Sequence, residues 1–328
     1  MKTININKKN FFEIIKNNDN FILTTHINSD GDGLGSEAAL YYFLKSIDKN
    51  VAIINKEKPS QKYNFLGISD KVSTTAENSS PGILFIIDCN ELSRINQSIV
   101  PHIEKFKKIV ILDHHREPQD IKNSIRIIDH KASSVCEIVF LLLQNKLADL
   151  SLNYQKKISQ ALYTGIIFDT NNFSNSNVTE TTYCISGKMI SLGADNKLSY
   201  KHIFEDKPNN RIKLLGLTLS SLTQFEEGKI VFFQTTQNML KKTNTVMQDA
   251  NGFTKEVRPD GFRQVVVYMR ETDGKQIRVS LRSGNIDVQK IAKRFNGGGH
   301  KLAAGFKTES TISQLKKTLL PLLQKELS

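Results

Sequence analysis

The residues best suited to chemistry are acids and imidazoles that come in short clusters. The run THINSDGDG at 25–33 holds His26, Asp30 and Asp32. Asp88 directly follows ILFII, Asp113-His114-His115 directly follows IVIL, and Asp169 ends the run YTGIIF. Singly, each has a plain reading as a core histidine, an Asp-Gly turn, a cap or a surface loop. Together, four clusters at the ends of apolar runs point to one site. Carboxylates brought close repel one another and raise each other's pKa, and a pair of divalent cations resolves that conflict. Oxygen ligands with a minority of imidazoles suit Mn²⁺, with Mg²⁺ as the alternative. Cys89, beside Asp88, is the one thiol in these clusters. Two such ions about 3.5–4 Å apart support in-line displacement at phosphorus.

A fifth cluster lies near the end of the chain. Asn296 precedes Gly297, Gly298, Gly299 and His300, and KLAAGF follows. Consecutive glycines let backbone N–H groups approach an anion closely. His300 can donate to a phosphate oxygen, and Arg282 in SLRS can fork onto one bidentately. Residues 258–307 carry 11 Lys+Arg against 4 Asp+Glu, a net of +7. A glycine triplet alone reads as a turn, and a basic stretch alone as a solvated face. Base, glycine and histidine in one stretch favour phosphate binding.

These groups need elements to carry them. Residues 21–25, 51–54, 83–87, 109–112 and 125–128 are short runs rich in Ile and Val, as strands buried on both faces are. Residues 34–47, 134–145, 155–168 and 179–192 have helical apolar spacing. Strands followed by helices predict an α/β fold with a mainly parallel sheet and helices on both faces. Ligands of such sheets bind outside the carboxyl ends of the strands, and three of the clusters sit at strand ends. A smaller α/β domain is expected after it: helices at 210–225, 288–294 and 312–327, and strands at 230–235, 264–269 and 277–281. The expected division is a catalytic domain at 1–192, a linker at 193–209 and a phosphate-binding domain at 210–328.

Composition narrows the class. The 328 residues are 39% hydrophobic, which excludes a wholly disordered chain and leaves room for two cores. The longest apolar run, 138–143, is far short of the ~20 residues a membrane helix needs. The start has lysines without an apolar stretch, so no signal peptide is read. Three widely spaced cysteines disfavour a disulfide framework and fit a reducing cytoplasm. The formal net charge of +12 is uneven: residues 1–199 carry 23 Lys+Arg and 21 Asp+Glu, residues 200–328 carry 22 and 12. A basic second half suits a polyanionic partner such as a nucleic acid or nucleotide.

The motifs carry a resemblance. HINSDGDGLGS, the Asp of FIIDCN, LDHH and the Asp of GIIFDTNNF resemble the four motifs of the DHH phosphoesterase superfamily. GGGHKLAAG resembles the signature of its DHH-associated C-terminal domain, and the match spans residues 21–306. The length is similar to that of the bifunctional oligoribonuclease/pAp phosphatase (nanoRNase) branch. RecJ-like exonucleases are longer, and family II pyrophosphatases lack GGGH. The resemblance implies two metal ions, one held by His26, Asp30 and Asp88, the other by Asp32, Asp88, His114 and Asp169. Asp88, Asp113, His114 and His115 would carry catalysis, with Asp113 orienting the site and His115 facing the phosphate. Ser134, Arg282, Gly297, Gly298, Gly299 and His300 would join His115 in binding substrate, Ser134 having a helix N-cap as its plain reading.

The implied activity is hydrolysis of short oligoribonucleotides to mononucleotides and of 3′-phosphoadenosine 5′-phosphate (pAp) to AMP. Linear dinucleotides such as pGpG and single-stranded DNA are the alternatives within the family. Outside enzymes, an RNA-binding module without turnover is the alternative, and the complete ligand set stands against it. A homodimer is left open. Ser29 and Asn171 depart from the family's usual Pro and Gly, at positions that are not expected ligands.

Overall fold

The structure is a computed structural model and describes residues 8–76, 82–115, 121–205, 208–272, 274 and 276–327. The chain divides into two compact units between residues 206 and 207. The first unit is built on six strands: β1 (Asn20–Thr25), β2 (Asn50–Ile54), β3 (Val72–Ser73), β4 (Ile83–Ile87), β5 (Lys108–Asp113) and β6 (Ser124–Ile128). They form one sheet in the order β3-β2-β1-β4-β5-β6, and every pairing is parallel. The order reverses between β1 and β4. That is the switch point, where connections leave in opposite directions and open a crevice at the carboxyl ends.

Among the described residues six α-helices accompany this sheet: α1 (Lys8–Lys16), α2 (Gly31–Lys45), α3 (Val135–Leu147), α4 (Leu152–Asp169), α5 (Glu180–Ser191) and α6 (Asn196–Tyr200). Alternate strand residues face opposite ways. Leu23, Phe85, Val110 and Leu112 enter a core with side chains of α1 to α5, while Ile22, Leu84, Ile86 and Ile111 enter another. The second core is closed by Ile95, Ile99 and Val100, in and around the 3₁₀ turns Leu92–Arg94 and Val100–Lys105. Both faces are therefore covered, one by α-helices and the other by short turns. The stretch 193–209, expected as a linker, holds α6. Its Ser199 hydroxyl bonds Gln160 and Thr164 of α4, which ties most of that stretch to the first unit.

The second unit contains α7 (Asn209–Ser220), β7 (Thr223–Phe225), β8 (Ile230–Thr235), α8 (Gln237–Thr243), β9 (Val265–Glu271), β10 (Ile277–Ser283), α9 (Val288–Lys293), β11 (Gly298–His300), β12 (Ala303–Thr308) and α10 (Ile312–Leu327). Its sheet runs β11-β12-β10-β9-β8-β7 and is mixed, with β8 and β9 parallel and the other pairs antiparallel. One face packs on α9 and α10 through Ile291, Leu315, Leu319 and Leu323. On the other, Val231, Phe233, Val266 and Tyr268 pack under Leu214 of α7 and Leu240 of α8. The helix expected over 210–225 stops at Ser220, because residues 223–225 pair with β8 instead. Within the glycine cluster, Gly298, Gly299 and His300 form the edge strand β11.

Candidate functional site

In the first unit, β1 runs into His26, β4 into Asp88 and β5 ends on Asp113, while Asp169 closes α4. Asp30 is the N-cap of α2: its Oδ1 accepts from the amides of Asp32 and Gly33, at 3.0 and 3.3 Å. Its Oδ2 lies 3.7 Å from His26 Nε2, which is also 3.5 Å from Asp88 Oδ2. His26 Nδ1 bonds the Ile27 carbonyl at 2.8 Å, which leaves Nε2 facing the two carboxylates. Asp88 leaves β4 with a left-handed backbone (φ 54°) while its amide still bonds Leu112 O across to β5.

A second group forms on the other side of Asp88. His114 Nε2 is 3.2 Å from Asp169 Oδ2, 4.0 Å from Asp32 Oδ2 and 3.9 Å from Asp88 Oδ1. Asp32 is fully buried, and the first amides of α3 hold it: Val135 N donates to Oδ2 at 2.6 Å and Cys136 N to Oδ1 at 2.9 Å. A helix N-terminus suits a carboxylate both by its free amides and by its dipole. Asp113 Oδ1 accepts from the amides of His114 and His115 and from His115 Nδ1 at 2.8 Å. His115 is half-exposed and lies 3.5 Å from Asp88 Oδ1.

The electrostatics are those of an acid cluster without enough cations. Burial, reinforced by Asp88 and Asp169, drives Asp32 well above its ordinary value, and burial raises Asp88 to about 6. Burial lowers His26 and His114, but their neighbouring carboxylates override it and lift each to about 10. Burial pushes Asp113 up, yet its bonds from His115 hold it below the ordinary range.

Among the described residues, three groups bring ligand atoms close enough for an ion: His26, Asp30 and Asp88; Asp32, His114 and Asp169; and Asp88, His114 and His115. Asp88 Oδ1 is buried and accepts no hydrogen bond. An orphaned carboxylate oxygen between imidazoles is an atom that a cation would satisfy, so the donor set fits hard divalent ions.

Sequence reasoning singled out every member of these groups, but not the residues behind them. Glu37 is fully buried on α2, raised to about 8 by burial, and accepts from Asn55, whose Oδ1 accepts the amide of Thr25. Glu137 is buried on α3 beside the Asp32 contact. Its signal is the spacing Ser134-x-x-Glu137, a capping-box pattern. Ser134 is fully buried and caps α3, its Oγ accepting from Glu137 N at 3.1 Å.

In the second unit, antiparallel register places His300, Ala303 and Arg282 in one row, and Lys307, Arg278 and Arg270 in another. Between them runs a row of small residues, Gly298, Gly305 and Ser280. Directly paired residues share a face. Where α7 and α8 leave this face uncovered lies a cleft of about 770 Å³, bordered by Arg270, Arg278, Arg282 and Lys307. Arg282 uses Nη1 on its own strand, at Leu281 O. The glycines differ in purpose. A Cβ on Gly297 would lie 2.3 Å from Gly305 O, and one on Gly299 (φ 134°) 2.5 Å from Ala303 O, whereas Gly298 faces open space. Close strand packing requires the first two; of the triplet, Gly298 lines the cleft.

Known proteins share this design. The DHH family, N-terminal domain, matches residues 20–166 and the DHHA1 domain residues 230–327. The chain is 30% identical to the bifunctional oligoribonuclease and PAP phosphatase NrnA of Bacillus subtilis, over 88% of each chain. It is 25% identical to the protein of that name in Thermus thermophilus, over 93% of this chain and 90% of the other. An exopolyphosphatase-related protein from Bacteroides fragilis has the same fold, with a TM-score of 0.83 at 24% identity over 97% of this chain and 95% of the other. The chain belongs to the DHH family of phosphoesterases, with an N-terminal DHH domain followed by a DHHA1 domain.

Proposed function

We propose that the chain is a two-metal hydrolase that cuts short oligoribonucleotides to mononucleotides and converts pAp to AMP. The observation that carries the reading is the placement of Asp88, with Oδ2 toward His26 and the orphaned Oδ1 toward His114 and His115. His26, Asp30 and Asp88 would hold one ion, and Asp32, Asp88, His114 and Asp169 the other. Bound there, a pair of Mn²⁺ or Mg²⁺ ions supplies Lewis acidity at the phosphoryl oxygens and neutralises charge developing in the transition state.

The chain's own residues do the rest. Asp113 fixes the His115 tautomer through Nδ1, so the other ring nitrogen of this half-exposed imidazole serves the phosphate. The same hydrogen bond raises the His115 pKa, which favours the protonated, donating form. In the DHHA1 unit, Arg282, His300 and the open Gly298 form the grip for a substrate phosphate, with Gly297 and Gly299 holding the strand that presents them. Curated relatives named bifunctional oligoribonuclease and PAP phosphatase, 22–30% identical to this chain, support this substrate class. The three cysteines are free, and no helix among the described residues is long and apolar enough to cross a membrane. Both observations suit a cytoplasmic setting.

The test is turnover of two- to five-residue RNA, pAp, pGpG, single-stranded DNA and pyrophosphate side by side, with Mn²⁺ and with Asp88→Ala as control. Mononucleotide release from RNA and AMP from pAp are expected, and the variant should lose both metal binding and turnover. Unchanged RNA and pAp at full metal loading would overturn the assignment. Faster cleavage of pGpG or DNA would move the substrate within the family.

A further inference from the structure

Residues 132–136, at the passage from β6 into α3, bond His114 and Asp32 directly and reach the backbone of Asp169 through Asn177. The Ala132 carbonyl lies 3.4 Å from His114 Nδ1. The amides of Val135 and Cys136 hold the two oxygens of Asp32. The Ser133 carbonyl accepts from Asn177 Nδ2 at 2.8 Å, and the same nitrogen lies 3.4 Å from the carbonyl of Asp169. Glu137 fastens this segment. It is buried, and its Oε2 accepts from Ser133 N at 3.2 Å, Ser133 Oγ at 2.6 Å and Thr182 Oγ1 at 3.0 Å. Ser134 Oγ in turn accepts from Glu137 N and starts α3 at the register that points its first amides at Asp32.

We infer that Glu137 is a positioning residue: it clasps residues 132–136 to α5 and so fixes Asp32, His114 and Asp169 in one ligand geometry. The inference rests on the metal reading given above. A buried carboxylate with three donors on one oxygen is costly to disturb, because removing it leaves the Ser133 hydroxyl and amide unpaired and Thr182 Oγ1 with its Thr179 partners alone. Groups behind a metal's ligands commonly change affinity or activity by about 10–100-fold when removed.

The experiment titrates Mn²⁺ into full-length Glu137→Ala, Glu137→Gln and Ser133→Ala proteins. Free Mn²⁺ is read by electron paramagnetic resonance below each variant's unfolding temperature, with folding checked by circular dichroism. Glu137→Ala should weaken binding of one ion by about 10–100-fold. Glu137→Gln, which keeps the shape and one acceptor, and Ser133→Ala, which removes one donor, should fall between it and the parent. Lower thermal stability with unchanged Mn²⁺ affinity would mean a merely structural role and overturn the inference. If Glu137→Ala does not fold, the other two decide in the same way. Asp32→Asn separates the two levels: full Mn²⁺ binding by that variant sinks the metal reading itself, whereas its loss beside unchanged Glu137 variants sinks only this inference.

Discussion

Asp30 and Asp32 sit two positions apart on one turn yet meet different surroundings. Asp30 caps its own helix and turns its second oxygen to His26, while Asp32 is buried against the start of another helix. Residue type and spacing identified both acids, but spacing alone does not separate their environments, since the separation comes from α3, more than 100 residues away. The imidazoles give a pH prediction. In metal-free protein His26 and His114 are raised to about 10 from 6.5. A raised folded-state pKa contributes stability that is complete below the unfolded value and is lost as pH rises through the folded one. The melting temperature of metal-free protein should therefore fall between about pH 6.5 and 10. Because ions compete with these protons, Mn²⁺ affinity should rise over the same window, with proton release on binding measurable by calorimetry in buffers of different ionisation enthalpy. A melting temperature that climbs across this window would contradict the imidazole assignment.

At the scale of elements, α2 must begin hard against the end of β1. A Cβ on Gly33 would come within 2.3 Å of Thr25 Oγ1 and 3.6 Å of Asp88 Oδ2. Gly33→Ala should push the start of α2 away from β1, destabilise the protein by about 1–3 kcal/mol and depress Mn²⁺ affinity, as melting and metal titration together would record. Equal melting and titration curves for variant and parent would show that the turn yields without cost. The strands that carry the site were legible because they are short Ile- and Val-rich runs; residues 83–87 and 230–235 match the structure end to end. The DHHA1 edge was not. Gly298 to His300 and Ala303 to Thr308 hold small residues and one phenylalanine, with no alternation strong enough to mark a strand, and only the pairing of β12 with β10 and of β11 with β12 makes them strands. The helix expected over 210–225 failed for a related reason: Phe225 continues the apolar spacing but belongs to β7. Glu37 and Glu137 were overlooked because a helical acid is ordinarily a surface residue.

At the scale of the whole molecule, the +12 charge is a division of labour. Residues 200–328 carry 22 Lys+Arg against 12 Asp+Glu, and four of those bases border the cleft on the DHHA1 sheet. Arg282→Ala should raise KM for short RNA while leaving kcat and Mn²⁺ binding near the parent values. The plot of log KM against log salt should flatten by about one unit of slope, as expected for one lost phosphate contact. Identical salt plots for variant and parent would remove Arg282 from the substrate grip. The contact between Asp32 and the amides of Val135 and Cys136 reaches further. It joins residues 103 and 104 positions apart, so the ligand group it belongs to does not exist in any locally folded segment. A chain emerging from the ribosome, or one partly unfolded, has no assembled centre to arm. An ion that binds only the finished domain adds its whole binding free energy to the native state, about 2.7 kcal/mol at a hundred times its Kd. On the metal reading proposed above, metal supply and survival against cellular proteases are joined, and a starved cell would hold less of this protein as well as a less active one.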